Sequence, residues 1–244
     1  MPRQGPILTS LADLPAGPLT GVVFANELLD NLPFDVVART TTGWDEVRVG
    51  VDGAGDLIEV LVRADAALED EADRVAGDSV LPVGTVLPVP RAAAAWLATV
   101  TELLESGRVV VVDYAAPVAE LVERGPREWI RTFRAHQRVG DPLADPGTCD
   151  ITIDLPLEYL RSAAHAAGLH VAYDATQAQW LRERGIDELV EEGEQVWAER
   201  AHIGDLEALA GRSRAHEAQV LSADPGLGAH RVLVFHKGAH PSPG

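Results

Sequence analysis

Four valines in succession, residues 109–112, are followed directly by Asp113 and Tyr114. An uninterrupted β-branched run of this kind is typical of a parallel strand that is covered on both faces. An earlier apolar run, residues 21–25, predicts a second buried strand, and it stops at the polar residue Asn26. In open α/β sheets, ligands bind just beyond the carboxyl ends of strands. The two runs therefore predict an α/β sheet with a site where both strands end.

The remaining sequence alternates strand-like and helix-like segments, which favours a single α/β domain over residues 1–244. Strands are predicted at residues 44–51, 57–63, 108–114, 170–173 and 231–236, and helices at 91–105, 129–136, 156–167, 177–185 and 186–210. Residues 40–90 are interpreted as a β-rich insertion. Residues 115–154 are interpreted as a substrate or lid loop, because so long a connection is often functional.

The composition argues against several classes of partner. The chain has 20 Lys plus Arg against 38 Asp plus Glu, a net charge of −18. This charge disfavours non-specific binding to nucleic acid or to anionic membrane surfaces. Cys149 is the single cysteine, so no intrachain disulfide can form and a reducing compartment is indicated. With no signal-peptide-like start and no apolar run long enough to span a bilayer, the prediction is a cytoplasmic protein.

The polar residues after the first strand are the main candidates for a site. Glu27, Asp30 and Asn31 are three or four positions apart, so one helical turn would place them on a common face. Asn26 or Asp30 could instead cap the helix that follows, which is a common role for these residue types. Asp113 could likewise be a structural residue that anchors a turn instead of a residue of the site. The residues alone leave both interpretations open.

A second group of candidates lies between residues 129 and 154. Strand alternation predicts that Asp150, Thr152 and Asp154 share one face, where three oxygen acceptors could bind a cation. The pattern disfavours an EF-hand-like loop, because the required glycine and terminal glutamate are missing. His136 is more often a structural histidine than a catalytic one. The histidines near the carboxyl end are too scattered for a metal site, and none is predicted.

Several of these motifs together resemble a known family. Residues 26–33 read Asn-Glu-Leu-Leu-Asp-Asn-Leu-Pro, Asp113 and Tyr114 follow the next strand, residues 131–136 read Arg-Thr-Phe-Arg-Ala-His, and residues 146–152 read Pro-Gly-Thr-Cys-Asp-Ile-Thr. In this order they resemble the MidA-like family of S-adenosylmethionine (SAM)-dependent methyltransferases. One departure is Ala115, where the family more usually has glycine.

The resemblance implies a Rossmann-like class I methyltransferase sheet with SAM as cofactor. It also implies a protein substrate, since the eukaryotic relatives are mitochondrial enzymes that methylate arginine on a complex I subunit. Under this interpretation the catalytic residues are Asn26, Glu27, Asp30, Asp113 and His136, the cofactor-binding residues are Ala25 and Asn26, and the substrate-binding residues are Tyr114, Asp150 and Thr152. A homo-oligomer is a further expectation.

One expected element is missing from the sequence. A SAM-binding fold of this class needs a strand, a glycine-rich turn and a helix, followed by an acidic residue for the ribose. In the family the signature lies mid-chain, whereas here it begins at residue 26. The expectation is therefore the C-terminal two-thirds of such an enzyme, truncated before its cofactor-binding strands. The alternative is a catalytically inactive fragment or a protein-binding assembly module.

Overall fold

The computed structural model describes residues 10–238, apart from 13, 16, 136 and 145. Within them the strands are β1 (Leu19–Asn26), β2 (Asp35–Arg39), β3 (Trp44–Val51), β4 (Leu57–Arg63), β5 (Val86–Val89), β6 (Leu104–Asp113), β7 (Ala115–Ala116), β8 (Ile130–Arg134), β9 (Gln137–Val139), β10 (Asp150–Ile153), β11 (Leu155–Pro156), β12 (His170–Thr176) and β13 (Arg231–Lys237). The α-helices are α1 (Ala66–Ala76), α2 (Arg91–Leu103), α3 (Val118–Arg124), α4 (Pro126–Trp129), α5 (Leu157–Ala166), α6 (Gln177–Arg182), α7 (Ile186–Arg200) and α8 (Leu206–Ser222).

The main sheet has the strand order β1-β6-β13-β12. Strands β1 and β6 are parallel neighbours, with Asn26 opposite Val112, as the sequence predicts. Strand β13 runs antiparallel to β6 and places Arg231 opposite Asp113. The carboxyl ends of β1 and β6 and the start of β13 therefore lie together where these strands end. We call this end of the sheet the site rim.

The four valines of β6 explain why this strand is central. Val109 and Val111 lie in the main core with Leu233 and Phe235 of β13. Their alternating neighbours, Val110 and Val112, lie in a second, smaller apolar cluster on the opposite face, with Val232 and Val234. The strand is thus covered on both faces, which confirms the prediction from the β-branched run.

Strand β1 differs from its prediction. It was expected to be buried, yet Val22 is 64% exposed and Phe24 is 59% exposed, while Ala25 on the opposite face is only 3% exposed. The reason lies in the topology, because β6 is the only strand that pairs with β1 among the described residues. One face of β1 packs on the core, and the other presents apolar side chains to solvent.

We expect this surface to cause self-association of the purified chain. Exposed apolar side chains on an unpaired strand edge favour contact with a second copy. Light scattering should detect dimers or larger species, and Phe24→Thr combined with Val22→Thr should shift them toward monomer. Val80→Thr is the matched control, because Val80 is 99% exposed but stands outside any strand. A monomeric wild-type chain would contradict this expectation.

A second sheet, with strand order β4-β3-β2-β5, is antiparallel throughout. Strands β3 and β4 have the bounds predicted from the sequence. Helix α1 connects β4 to β5, and its first turn is capped by Asp65, whose side chain accepts a hydrogen bond from the Leu68 amide. The sheet and α1 contribute Val37, Leu87 and Leu68 to the main core.

The prediction for residues 115–154 is wrong in its secondary structure. The segment contains β7 to β10 with α3 and α4, and is not a loop. The predicted helix at 129–136 is also wrong, since α4 ends at Trp129 and β8 begins at Ile130. Pairing of β8 with β10 outweighs local helical preference here, and the buried Thr132 hydroxyl donates to the carbonyls of Val139 and Gly140 at 2.8 Å.

Two helix ends also differ from the predictions. Helix α2 ends at Leu103, and Gly107 is inside β6 with φ of +144°, where a Cβ would lie 1.9 Å from the Gly21 carbonyl oxygen. This glycine permits close approach of two strands. The helix predicted at 186–210 is divided into α7 and α8, because Asp205 caps a new helix by accepting from the Ala208 amide. Among the described residues, none of the helices combines the length and apolar content that a membrane crossing requires.

Candidate active site

The chain makes a tight turn where β1 ends at the site rim. The Glu27 amide donates to the Val112 carbonyl at 2.9 Å, and a 3-10 helix (Leu29–Asn31) follows. Glu27 itself has φ of +46°, in the left-handed region that non-glycine residues rarely occupy. Its side chain is exposed at the rim. Strained conformations of this type persist only where the surrounding structure fixes them, and they are frequent at functional sites.

Asp113, at the end of β6, fixes this turn. One of its carboxylate oxygens, Oδ2, accepts from the Leu29 amide at 2.8 Å and the Leu28 amide at 3.2 Å. The other, Oδ1, accepts from the Tyr114 amide at 2.9 Å. Asp113 is 1% exposed. The alternative role as the anchor of a turn is therefore realised, and Asp113 acts on the site by holding the 27–31 turn against β6.

Asp30 forms a carboxyl pair with Asp113. It is also 1% exposed, and its Oδ1 accepts from the Asn31 side-chain amide at 2.7 Å. Burial, followed by the charge of Asp30, raises the pKa of Asp113 to about 7. Burial likewise raises the pKa of Asp30, while its hydrogen bond with Asp113 opposes this shift. The two carboxyl groups thus hold one proton between them below about pH 7.

These contacts correct two expectations about the turn. Glu27, Asp30 and Asn31 do not share a face, because Asp30 points inward to Asp113 while Glu27 and Asn31 are exposed. Glu27 and Asp30 therefore cannot bind one cationic group as a pair. The capping alternative is also wrong, since Leu28 is the cap residue of the 3-10 helix and makes no side-chain capping bond.

We expect Asp30→Asn to make stability less dependent on pH. Because the folded-state pKa of Asp113 is raised from 3.8 to about 7, its stabilising contribution is complete below about pH 4 and is lost as pH rises toward 7. Removing the neighbouring charge lowers that pKa, so Asp30→Asn should gain about 1–3 kcal/mol over wild type at pH 8 and less at pH 5.

Urea unfolding at both pH values measures this difference. The matched control is Asp150→Asn, which removes the same charge from an exposed position. Equal effects of the two substitutions, or a gain for Asp30→Asn that is larger at pH 5, would contradict the carboxyl pair.

Tyr114 forms the aromatic part of the site and touches two residues that the sequence did not single out. The Arg131 guanidinium lies 4.1 Å from the centre of the Tyr114 ring. The His230 ring lies 4.2 Å from it, at an angle of 79°. Burial raises the pKa of the Tyr114 hydroxyl. Arg131 stands opposite Thr152 where β8 pairs with β10, so that pairing brings it to Tyr114.

Asp154 holds Arg131 in place. Its Oδ1 lies 2.6 Å from Arg131 Nη2, and its Oδ2 lies 2.7 Å from Arg124 Nη1. Asp154 follows the end of β10, and its amide donates to the Trp129 carbonyl. Two arginines on one buried carboxylate form a rigid support behind the aromatic ring. Asp154 thus binds this chain's own arginines, in place of the external cation considered from the sequence.

The other predicted site residues fall in different places. Thr152 is buried near the site, while Asp150 is exposed at the far end of β10, opposite Phe133. Ala25 packs its side chain in the main core, so only its backbone faces the rim. His136 lies outside the described residues. Within the described residues, no group of three or more His, Cys, Asp or Glu side chains is arranged to hold a metal ion.

The structure therefore brings together Asn26, Glu27, Asp30, Asp113 and Tyr114 of the predicted set. Sequence reasoning missed Arg131 and His230 as site members. Arg131 stood within a family-like motif, which could have indicated it. His230 directly precedes β13, which runs antiparallel to β6 and therefore begins at the site rim. Its position before such a strand is the signal that could have indicated it.

The chain is similar to several known proteins. A family described as "Putative S-adenosyl-L-methionine-dependent methyltransferase" matches residues 7–174. The mitochondrial protein arginine methyltransferase NDUFAF7 of Mus musculus is 31% identical over 184 residues, covering 72% of this chain and 38% of the relative. The Xenopus tropicalis protein of the same name is 28% identical over 179 residues, covering 72% of this chain and 39% of the relative.

Two crystal structures of proteins from Burkholderia thailandensis are similar as well. One, bound to S-adenosyl-homocysteine, has a TM-score of 0.75 and 28% identity, covering 95% of this chain and 57% of that one. The other, a native structure, has a TM-score of 0.76 and 28% identity, covering 95% of this chain and 59% of that one. This chain thus spans about two fifths of the length of the curated relatives and under two thirds of the solved ones.

Proposed function

The chain belongs to this family of S-adenosylmethionine-dependent methyltransferases, and we propose that it supplies the acceptor side of a site that methylates an arginine-type nitrogen of a protein. Support for the acceptor class comes from the arginine methyltransferases at 28–31% identity. Support for the location comes from the site rim, since ligands of open α/β sheets bind beyond the ends of such strands.

The proposal rests on three properties of Glu27: its exposure, its backbone conformation and its lack of an ion-pair partner. Its carboxylate is exposed at the rim, its backbone is held in a strained conformation, and no arginine or lysine in the described part of the chain forms an ion pair with it. A carboxylate fixed in this way is free to bind a cation from outside. A guanidinium is the best match, because its parallel N–H groups fit both carboxylate oxygens.

The residues present fit one end of the cofactor. Asn26 and Glu27 are exposed at the end of β1, where they could border the reactive methyl group, and Asn26 could hydrogen-bond to the cofactor. When bound, SAM supplies an activated methyl group on a sulfonium. The sequence contains no glycine-rich turn or ribose-binding acid of the expected pattern, so we propose that groups for the nucleoside come from polypeptide placed beside the unpaired edge of β1.

The chain's own residues contribute by position and charge. Methyl transfer is an in-line displacement, so its rate depends on holding the acceptor nitrogen in line with the methyl–sulfur bond. In our proposal Glu27 orients the guanidinium, and Tyr114, held by Arg131, forms an apolar wall that limits water. The buried Asp30–Asp113 pair keeps the turn that carries Glu27 rigid.

A binding module without catalysis is the second candidate. The observation in its favour is the apolar surface of β1, with Val22 and Phe24 exposed. Surfaces of this kind often mark contacts between proteins. The two candidates differ in one respect that can be measured, because only the first transfers a methyl group.

The test uses a chimera that joins this chain to the part of the Burkholderia thailandensis protein without a counterpart here. Tritium transfer from labelled SAM is measured to a peptide with arginine and to the same peptide with citrulline, which keeps the shape but lacks the charge. We expect label on the arginine peptide only. No transfer to either peptide by a chimera that binds SAM would support the binding module, and label on citrulline would contradict the guanidinium.

A further inference from the structure

We propose that His230 is the catalytic base of the site, which takes the proton that the acceptor nitrogen releases on methylation. The inference rests on the proposed function and adds a residue to it. His230 occurs in none of the motifs by which the chain resembles its relatives, and nothing in the sequence pattern marks it. The structure places it at the site for a topological reason.

The topology brings His230 to the rim from a third strand. Because β13 is antiparallel to β6, its first residue, Arg231, stands opposite Asp113, and His230 immediately before it lies level with Tyr114. The backbone of His230 is fixed on both sides: its carbonyl accepts from the Gln177 amide at 2.7 Å, and its amide donates to Leu227. The backbone of His230 therefore has a defined position, on the opposite side of β6 from β1.

The imidazole nitrogens of His230 have no hydrogen-bonding partner among the described residues. The residue as a whole is only 3% exposed and its ring packs edge-on against Tyr114. Its nitrogens are nevertheless not among the fully buried polar atoms that lack a partner, so they are not sealed from the surface. An imidazole nitrogen that is neither bonded within the fold nor sealed from the surface is available to a ligand.

The charges around His230 suit a base. Glu27, Arg131 and Asp154 are the charged groups near enough to affect it, and the half-buried Tyr114 hydroxyl is the titratable group in contact. Burial lowers the pKa of His230 from its ordinary value of 6.5, and Arg131 acts in the same direction, against Glu27 and Asp154. The imidazole is thus neutral at pH 7 and able to accept a proton.

The step balances without another reactant. The acceptor nitrogen forms a bond to the methyl carbon as the carbon–sulfur bond breaks, and the bonding pair remains on sulfur as a neutral thioether. The nitrogen then carries one proton too many. That proton passes to an imidazole nitrogen of His230 and from there to solvent. Glu27 keeps the guanidinium in place, so the two residues have separate roles.

The first test observes His230 directly in the 244-residue chain by NMR of its imidazole nitrogens. We expect a titration midpoint below 6.5. At pH 7, the probe Nα-acetyl-arginine N-methylamide should shift the His230 signals in a saturable way, and should leave those of His216, exposed on α8, unchanged. A protonated His230 at pH 7 would overturn the proposal.

The second test measures methyl transfer by the chimera. His230→Gln keeps a hydrogen-bonding side chain of similar size but removes basicity, and should lower kcat about 100-fold at pH 7 with little change in KM or Tm. It should also remove the fall in rate at low pH. His216→Gln is the matched control and should behave as wild type.

The outcomes separate this inference from the proposed function. If the probe shifts signals of the 27–31 turn but not those of His230, and His230→Gln keeps wild-type kcat, the base is wrong while the arginine site stands. If the probe shifts the signals of neither the 27–31 turn nor His230, and the chimera labels no arginine peptide, both the proposed function and the role of His230 as base are wrong. Loss of folding in His230→Gln is distinguished by its Tm, and the NMR titration of the wild-type chain then decides.

Discussion

Replacement of Glu27 by glutamine is expected to lower methyl transfer to an arginine peptide by about two to three orders of magnitude, measured as kcat/KM in the chimera. The substitution keeps the size of the side chain and removes the charge that orients the guanidinium. Loss of such a charged contact in the transition state corresponds to about 3–4 kcal/mol. SAM affinity and Tm should change little, because the Glu27 side chain makes no ion pair with the described residues.

Two further variants sharpen this prediction. Glu128→Gln is the matched control, since its side chain is 61% exposed and belongs to α4, not to the 27–31 turn. Glu27→Gly removes the same carboxylate and also relieves the φ of +46°, so it should be inactive yet about 1 kcal/mol more stable than wild type. Should Glu27→Gln unfold the protein while activity per folded molecule stays intact, Glu27 is a structural residue and its proposed role in orienting the guanidinium is wrong.

The 244-residue chain alone should bind SAM at least about 100-fold more weakly than the chimera in isothermal titration. A glycine-rich turn and a ribose-binding acid normally make most of the polar contacts with this cofactor, and neither pattern is present in the sequence. Loss of two charge-assisted hydrogen bonds alone corresponds to at least about 3 kcal/mol, or roughly 100-fold in Kd. Equal, stoichiometric binding by both proteins would show that the rim itself holds the cofactor.

The framework of the site could be predicted because strong local signals determine it. Residues 109–112 combine four β-branched side chains, and such a run is typical of a central strand covered on both faces. The polar residues that follow two neighbouring parallel strands must then meet, and the contacts of Asp113 with the Leu28 and Leu29 amides show that they do. Spacing along the chain was sufficient for this step.

The chemistry within the site depended on tertiary contacts that spacing does not encode. Asp30 is turned inward by pairing with Asp113. The three acidic residues Glu27, Asp30 and Asp113 therefore have different roles, since Glu27 is exposed and the other two form a buried pair. Arg131 reaches Tyr114 through pairing of β8 with β10, in a segment where local sequence favoured a helix. His230 arrives on an antiparallel strand from more than 100 positions along the chain, which no local motif indicates.

The most direct test of the acceptor site is a crystal structure of the chimera with S-adenosyl-homocysteine and an arginine peptide. We expect the sulfur to face the end of β1 beside Asn26, with the peptide guanidinium between the sulfur and the carboxylate of Glu27 and with His230 near the reacting nitrogen. A guanidinium bound away from the rim, with Glu27 and His230 contacting neither ligand, would contradict it.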